Sequence, residues 1–181
     1  MAMMPERTYH IKKYGFSPEN IFFFDTNVWL YIYGPVAYQD WKSGIYSSAL
    51  KKMHDLGCPI YTNSMVISEF INSFARMEFK QQFTFTRFKD FRNSSAFLST
   101  AEEIAYNVKR ILNITLRCDS DIADLDLVHI VEYFETGSYD FNDLIFTEIC
   151  KSRNMVLVTH DGDFKGSGLE VLTANRKLLG S

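Results

Sequence analysis

Cysteine is scarce in this chain, with three residues, Cys58, Cys118 and Cys150, among 181. Their isolation and odd number exclude a disulfide scaffold and a zinc cluster built on paired cysteines, and point to a reducing, cytoplasmic setting. Proline and glycine are also sparse, at 4 and 9 residues, and no linker, repeat or low-complexity tract divides the chain. No apolar run is long enough to span a bilayer, and residues 1–13 lack the apolar segment of a signal peptide, so no membrane association is expected. Nor is one sign of charge in excess. With 19 Lys and Arg against 22 Asp and Glu, any hold on nucleic acid must come from a local patch.

What is present is a globular composition, 46% apolar. A single domain of this length buries about 70% of its unfolded surface, so a metal is not needed for folding and would serve chemistry instead. Residues 1–20 read as an N-terminal leader and 21–181 as the domain. The unbroken apolar run at 21–24 stops at Asp25-Thr26-Asn27, as a strand buried on both faces does. A second strand at 58–61 runs into a helix carrying Ile67, Phe70, Ile71 and Phe74, with Ser64 as its expected N-cap. Helical spacing places Ile104, Val108, Ile111 and Leu112 on one face of 101–114. It also places Leu125, Val128 and Val131 or Phe134 on one face of a single helix over 122–134. Asp140 opens a further helix, and strands are expected at 155–159 and 169–173. Alternating strands and helices predict an α/β fold, three-layer α/β/α around a central, mostly parallel sheet, with its ligand site beyond the carboxyl ends of the strands.

Acidic residues occur where those strands end. Asp25 follows the first, Glu69 lies in the first turns of the helix after the second, Asp143 opens a later helix, and Asp161 follows the strand at 155–159. Each also has an ordinary reading: Asp25 as an N-cap, Glu69 as an exposed helix carboxylate, Asp140 and Asp143 as a capping pair, and Asp161-Gly162 as a turn. Their joint placement carries more weight, because the three strands they follow, at 21–24, 58–61 and 155–159, contain no acid. Two carboxylates about 5 Å apart repel by roughly 3 kcal/mol at an effective dielectric near 20, so such a cluster calls for cations or protons. Oxygen ligands without a matching Cys/His set favour Mg²⁺ or Mn²⁺ over Zn²⁺.

The sequences FFFDTNVWL at 22–30, NSMVISEF at 63–70, FNDLIFTEICKSRNMVLVTHDGDF at 141–164 and GLEVLT at 168–173 together resemble the PIN-domain nucleases, which include the VapC-like toxins of toxin-antitoxin pairs. The resemblance implies that Asp25, Glu69, Asp143 and Asp161 hold divalent metal, Mg²⁺ or Mn²⁺, and form the catalytic set. It makes Asn27, Ser68 and Thr159 supporting hydrogen-bond residues and Asp163 a peripheral acid or helix cap. It further implies an RNA substrate, a cognate antitoxin and a homodimer. Two features depart from the compact toxins: the leader before Asp25, and a long interval, about 76–137, between the second and third acids.

Within that interval residues 76–92, RMEFKQQFTFTRFKDFR, carry five basic and two acidic residues with five phenylalanines interleaved. Lys80, Arg87, Lys89 and Arg92 could neutralise phosphates while the rings stack on unpaired bases. The competing reading makes Phe79, Phe83 and Phe85 or Phe88 the apolar face of a helix or hairpin. Lys12-Lys13, Lys51-Lys52 and Lys109-Arg110 read as solvated surface, and His160, a lone histidine beside a turn, is assigned no role. Hydrolysis of RNA by the four acids is therefore the expected function. The alternatives are a phosphatase of the haloacid-dehalogenase type, which expects a second Asp where this chain has Asn27, and a non-catalytic scaffold binding RNA or protein.

Overall fold

Phe22, Phe23 and Phe24 are fully buried, although successive strand residues point to opposite faces. Both sides of the strand they form are therefore covered. Phe23 packs on Phe146, ring centroids 5.3 Å apart, while Phe24 packs on Trp29 at 4.9 Å and Phe22 on Phe16 at 5.9 Å. These contacts are seen in a computed structural model that describes residues 7–35, 37 and 40–180. Its strands are β1 (Arg7–His10), β2 (Phe22–Phe24), β3 (Ile60–Thr62), β4 (Leu116–Arg117), β5 (Val156–Val158) and β6 (Glu170–Thr173). They form one sheet in the order β1-β6-β5-β2-β3-β4, and every pairing is parallel.

Parallel neighbours need crossover connections, supplied here by α1 (Thr26–Tyr33), α2 (Trp41–Asp55), α3 (Ser64–Gln81), α4 (Phe88–Arg92), α5 (Phe97–Ile114), α6 (Ser120–Ala123), α7 (Leu127–Phe134) and α8 (Phe141–Ser152). The α/β class and the helix-flanked parallel sheet expected from the sequence are thus observed. From β2 the chain moves to β3 on one side, while β5 lies on the other. The connections diverge there, which opens a crevice at the carboxyl ends of β2 and β5.

Several local expectations are corrected. Residues 7–13 do not precede the fold. β1 forms the sheet edge beside β6, with Arg7 opposite Glu170 and His10 opposite Thr173, and Ile11 is buried in the core. Asn63, not Ser64, caps α3: its extended backbone lets the carboxamide oxygen accept from Val66 N at 3.0 Å, whereas Ser64 is already helical. The helix expected over 122–134 is two, because Asp126 starts a new one by accepting from His129 N at 3.1 Å. The buried residue of α7 is consequently Ile130, while Val128 is 72% exposed. On α5, Ile104 and Ile111 are buried as expected, but Leu112 is exposed. The three cysteines are free and buried, and no described helix is long and apolar enough to cross a membrane.

Candidate active site

Asp25 occupies the N-cap position of α1 yet makes no side-chain cap hydrogen bond. Its carboxylate is instead held from the side. Oδ2 accepts from Thr159 Oγ1 at 2.6 Å and from Asn27 Nδ2. Thr159 Oγ1 in turn accepts from Asn27 Nδ2 at 3.2 Å and from Asp161 N at 2.9 Å, and Asn27 Oδ1 accepts from His160 N at 3.1 Å. Asn27 and Thr159, two of the expected supporting residues, thereby fasten the end of β2 to the end of β5.

Glu69, on the second turn of α3 and half-buried, accepts from Thr26 Oγ1 at 3.2 Å and lies 3.5 Å from Asn142 Nδ2. Asp143 sits in the first turn of α8, whose N-cap is Asp140, accepting from Asn142 N at 2.8 Å. Asp161 is exposed and accepts from Asp163 N at 3.0 Å, which opens a turn of 3₁₀ helix at Gly162–Phe164. Asp163 is likewise exposed, and Ser68 lies beside Glu69 with its hydroxyl making no hydrogen bond to the acids.

The four acids sense one another. Asp25 is only 5% exposed, and burial, reinforced by the charges of Glu69 and Asp161 and opposed by the Thr159 hydroxyl, pushes its pKa up to about 7. Burial and then the charges of Asp25, Asp140, Asp161 and Glu69 push Asp143 up to about 8. The position of Asp143 at a helix N-terminus favours the anion, so desolvation and like charge outweigh the dipole. Among the described residues, however, no three Asp, Glu, His or Cys side chains are gathered tightly enough to grip one ion. The acids form an electrostatic cluster rather than a closed cage. An all-oxygen set that binds protons this tightly has the chemistry for a hard divalent cation, which would displace those protons.

Thr26 and Asn142, which position Glu69, escaped the sequence reading, although both lie inside the DTN and FND segments. Tyr46 gave no signal at all. It reaches from α2 to His160 Nδ1 at 2.8 Å and accepts from Ala174 N at 3.1 Å. Burial and the nearby Lys42 ammonium hold His160 below the usual histidine range. The basic segment 76–92 lies apart from this network. Phe79, Phe85, Phe88, Phe91 and Phe97 form an aromatic cluster of their own, leaving Phe83 fully extended into solvent. Lys80, Arg87, Lys89 and Arg92 are exposed, but Arg87 is taken by Asp90 at 2.8 Å and Arg92 lies over Phe97 at 4.7 Å.

A family model described as "PIN domain" matches residues 22–167. No curated protein matches the chain. Among solved structures, VapBC2 from Rickettsia felis, bound to a DNA fragment from its promoter, superposes with a TM-score of 0.56 at 16% identity, covering 84% of this chain and 98% of the other. PAE2754 from Pyrobaculum aerophilum gives 0.51 at 15% identity, covering 88% and 95%. Both likenesses are of fold.

The raised acids fix how stability varies with pH. Asp25 and Asp143 bind protons more tightly folded than unfolded, where the usual value is 3.8. Their contribution to metal-free stability is therefore full below that value and lost as pH rises through about 7 and 8. Thermal unfolding in EDTA is expected to show a midpoint falling steadily from about pH 5 to pH 8.5, with Asp25→Asn raising the midpoint at the alkaline end and flattening the slope. A midpoint that climbs with pH in the parent would contradict the assignment.

Proposed function

Because the chain belongs to the PIN-domain family, we propose that it is a divalent-metal-dependent endoribonuclease, the toxin of a toxin-antitoxin pair. The observation that supports this reading most is the joint elevation of Asp25 and Asp143 by burial and by their acidic neighbours at the β2/β5 crevice. Asp25, Glu69, Asp143 and Asp161 would hold a Mg²⁺ or Mn²⁺ ion, which would supply charge neutralisation and Lewis acidity for hydrolysis of the phosphodiester. Thr159 and Asn27 fix the Asp25 carboxylate and Thr26 orients Glu69, while closing on one ion would draw the acids nearer than they stand.

A phosphatase of the haloacid-dehalogenase type would need an acid two residues after Asp25 to protonate its leaving group. Asn27 stands there, already engaged with Asp25, Thr159 and His160. Absence of saturable Mn²⁺ binding would support a non-cleaving scaffold.

Incubation of the purified protein with total RNA and Mg²⁺ or Mn²⁺, followed by end mapping, is expected to yield discrete cuts that EDTA abolishes. Asp25→Asn should slow them by about 100-fold or more, the scale of several kcal/mol of lost charge stabilisation. Cleavage at the parental rate by this variant would refute the nuclease assignment, and release of phosphate from small monoesters with a trapped aspartyl-phosphate would favour the phosphatase.

A protein partner has its own support. Residues 118–150 contain nine acidic residues and no Lys or Arg, and α7 exposes Leu127, Val128, Val131 and Phe134. The cognate antitoxin would lay a basic, apolar segment over this face. The product of the adjacent reading frame is expected to form a complex on size exclusion that Val128→Asp disrupts. A complex indifferent to Val128→Asp would place the partner elsewhere.

A further inference from the structure

Trp41 opens α2 and is 64% exposed, whereas the chain's other tryptophan, Trp29, is fully buried. The indole is not remote from the acids. Its ring lies 6.1 Å from that of His160, edge to face, and His160 donates its backbone N–H to Asn27, which holds Asp25. Tyr31 and Tyr46 close around the same imidazole at 5.5 and 5.9 Å. This packing braces the histidine beneath the indole.

The charge around Trp41 is positive. Lys42 Nζ stands 4.5 Å from the Tyr31 ring centroid and pairs with Asp40 at 2.7 Å. On the other side of Trp41, a cavity of about 280 Å³ is lined by Ile11, Phe16 and Ile45 together with Lys12 and Lys52. Neither of these two lysines has an acidic partner among the described residues. An exposed indole beside a cavity lined by two lysines without acidic partners, next to a cluster that repels phosphate until neutralised, combines a stacking surface with a cationic path. The 118–150 stretch exposes Tyr133, Phe134 and Tyr139 but carries no Lys or Arg, and the phenylalanines of 76–92 are mostly spent on packing one another.

We propose that Trp41 is a stacking platform for an unpaired base of the RNA strand whose phosphodiester reaches Asp25 and Asp143, with Lys12 and Lys52 neutralising the phosphates on its flank. This rests on the ribonuclease reading above. Trp41 is thus a positioning residue, and the two lysines read as plain surface in the sequence belong to its groove.

With Trp29 buried, Trp41 provides an intrinsic reporter. In EDTA, where no cleavage occurs, a uridine 12-mer titrated into the full chain is expected to quench the exposed tryptophan emission saturably and to shield it from iodide. Trp41→Ala should weaken binding about 5- to 100-fold, the range for loss of one base–aromatic stack, while Trp41→Phe retains most of it. Joint Lys12→Gln and Lys52→Gln substitution should reduce the slope of log affinity against log salt by about 1.4. With metal, Trp41→Ala should raise KM with little change in kcat. Binding without quenching, equal affinity of Trp41→Ala, equal affinity for duplex, or no binding of the oligomer by anisotropy would each overturn the platform. The two readings fail separately. Cleavage that survives Asp25→Asn removes the nuclease assignment while quenching stands, and cleavage that needs Asp25 but ignores Trp41 removes the platform alone.

Discussion

Carboxylates withdrawn from water must be neutralised, and this constraint organises the crevice at the ends of β2 and β5. Asp25 is carried there by a strand made entirely of buried phenylalanine, which leaves its carboxylate facing a poorly solvated site. Thr159 and Asn27 donate to it and lower the cost of charge, but not enough to offset desolvation and the fields of Glu69 and Asp161. Asp143 meets the same conflict at the start of α8. In the absence of a cation, protons relieve the strain. In the proposed function a hard ion takes their place, and the acids that destabilise the free chain become its ligands.

Charge elsewhere on the chain divides along similar lines. A formal net charge of −3 conceals a 33-residue stretch, 118–150, without Lys or Arg. It also conceals a flank where Lys12 and Lys52 line a cavity beside the exposed Trp41 indole. Under the proposed function, phosphate would be repelled by the first stretch and attracted by the second.

Much of this was legible in the sequence. Unbroken apolar runs stopping at polar loops marked β2, β3 and β5, and the acids placed just past them marked the cluster that the fold brings together, because both follow from local pattern. What was not legible depends on contacts distant in the chain. β4 is two residues long and β1 gains its place only by pairing with β6, so neither carries a period. Asn63 rather than Ser64 caps α3 because Asn63 keeps an extended backbone that turns its carboxamide oxygen to Val66 N, while Ser64 is already helical. The break between α6 and α7 reflects the capping strength of Asp126, which overrides a helical spacing of apolar residues. The phenylalanines of 76–92 looked available for stacking, yet most pack together, while the exposed ring beside the acids, Trp41, comes from a stretch without any motif.

In the proposed function, protons and a divalent cation compete for the same buried carboxylates. Calorimetric titration of the full chain with Mn²⁺ near pH 7, repeated in buffers of different ionisation enthalpy, counts the protons released on binding. With Asp25 near half-protonated and Asp143 mostly so, between about one and two protons should leave per cation bound, and fewer from Asp25→Asn. Heats that are the same in every buffer, or saturable binding with no proton released, would contradict the account.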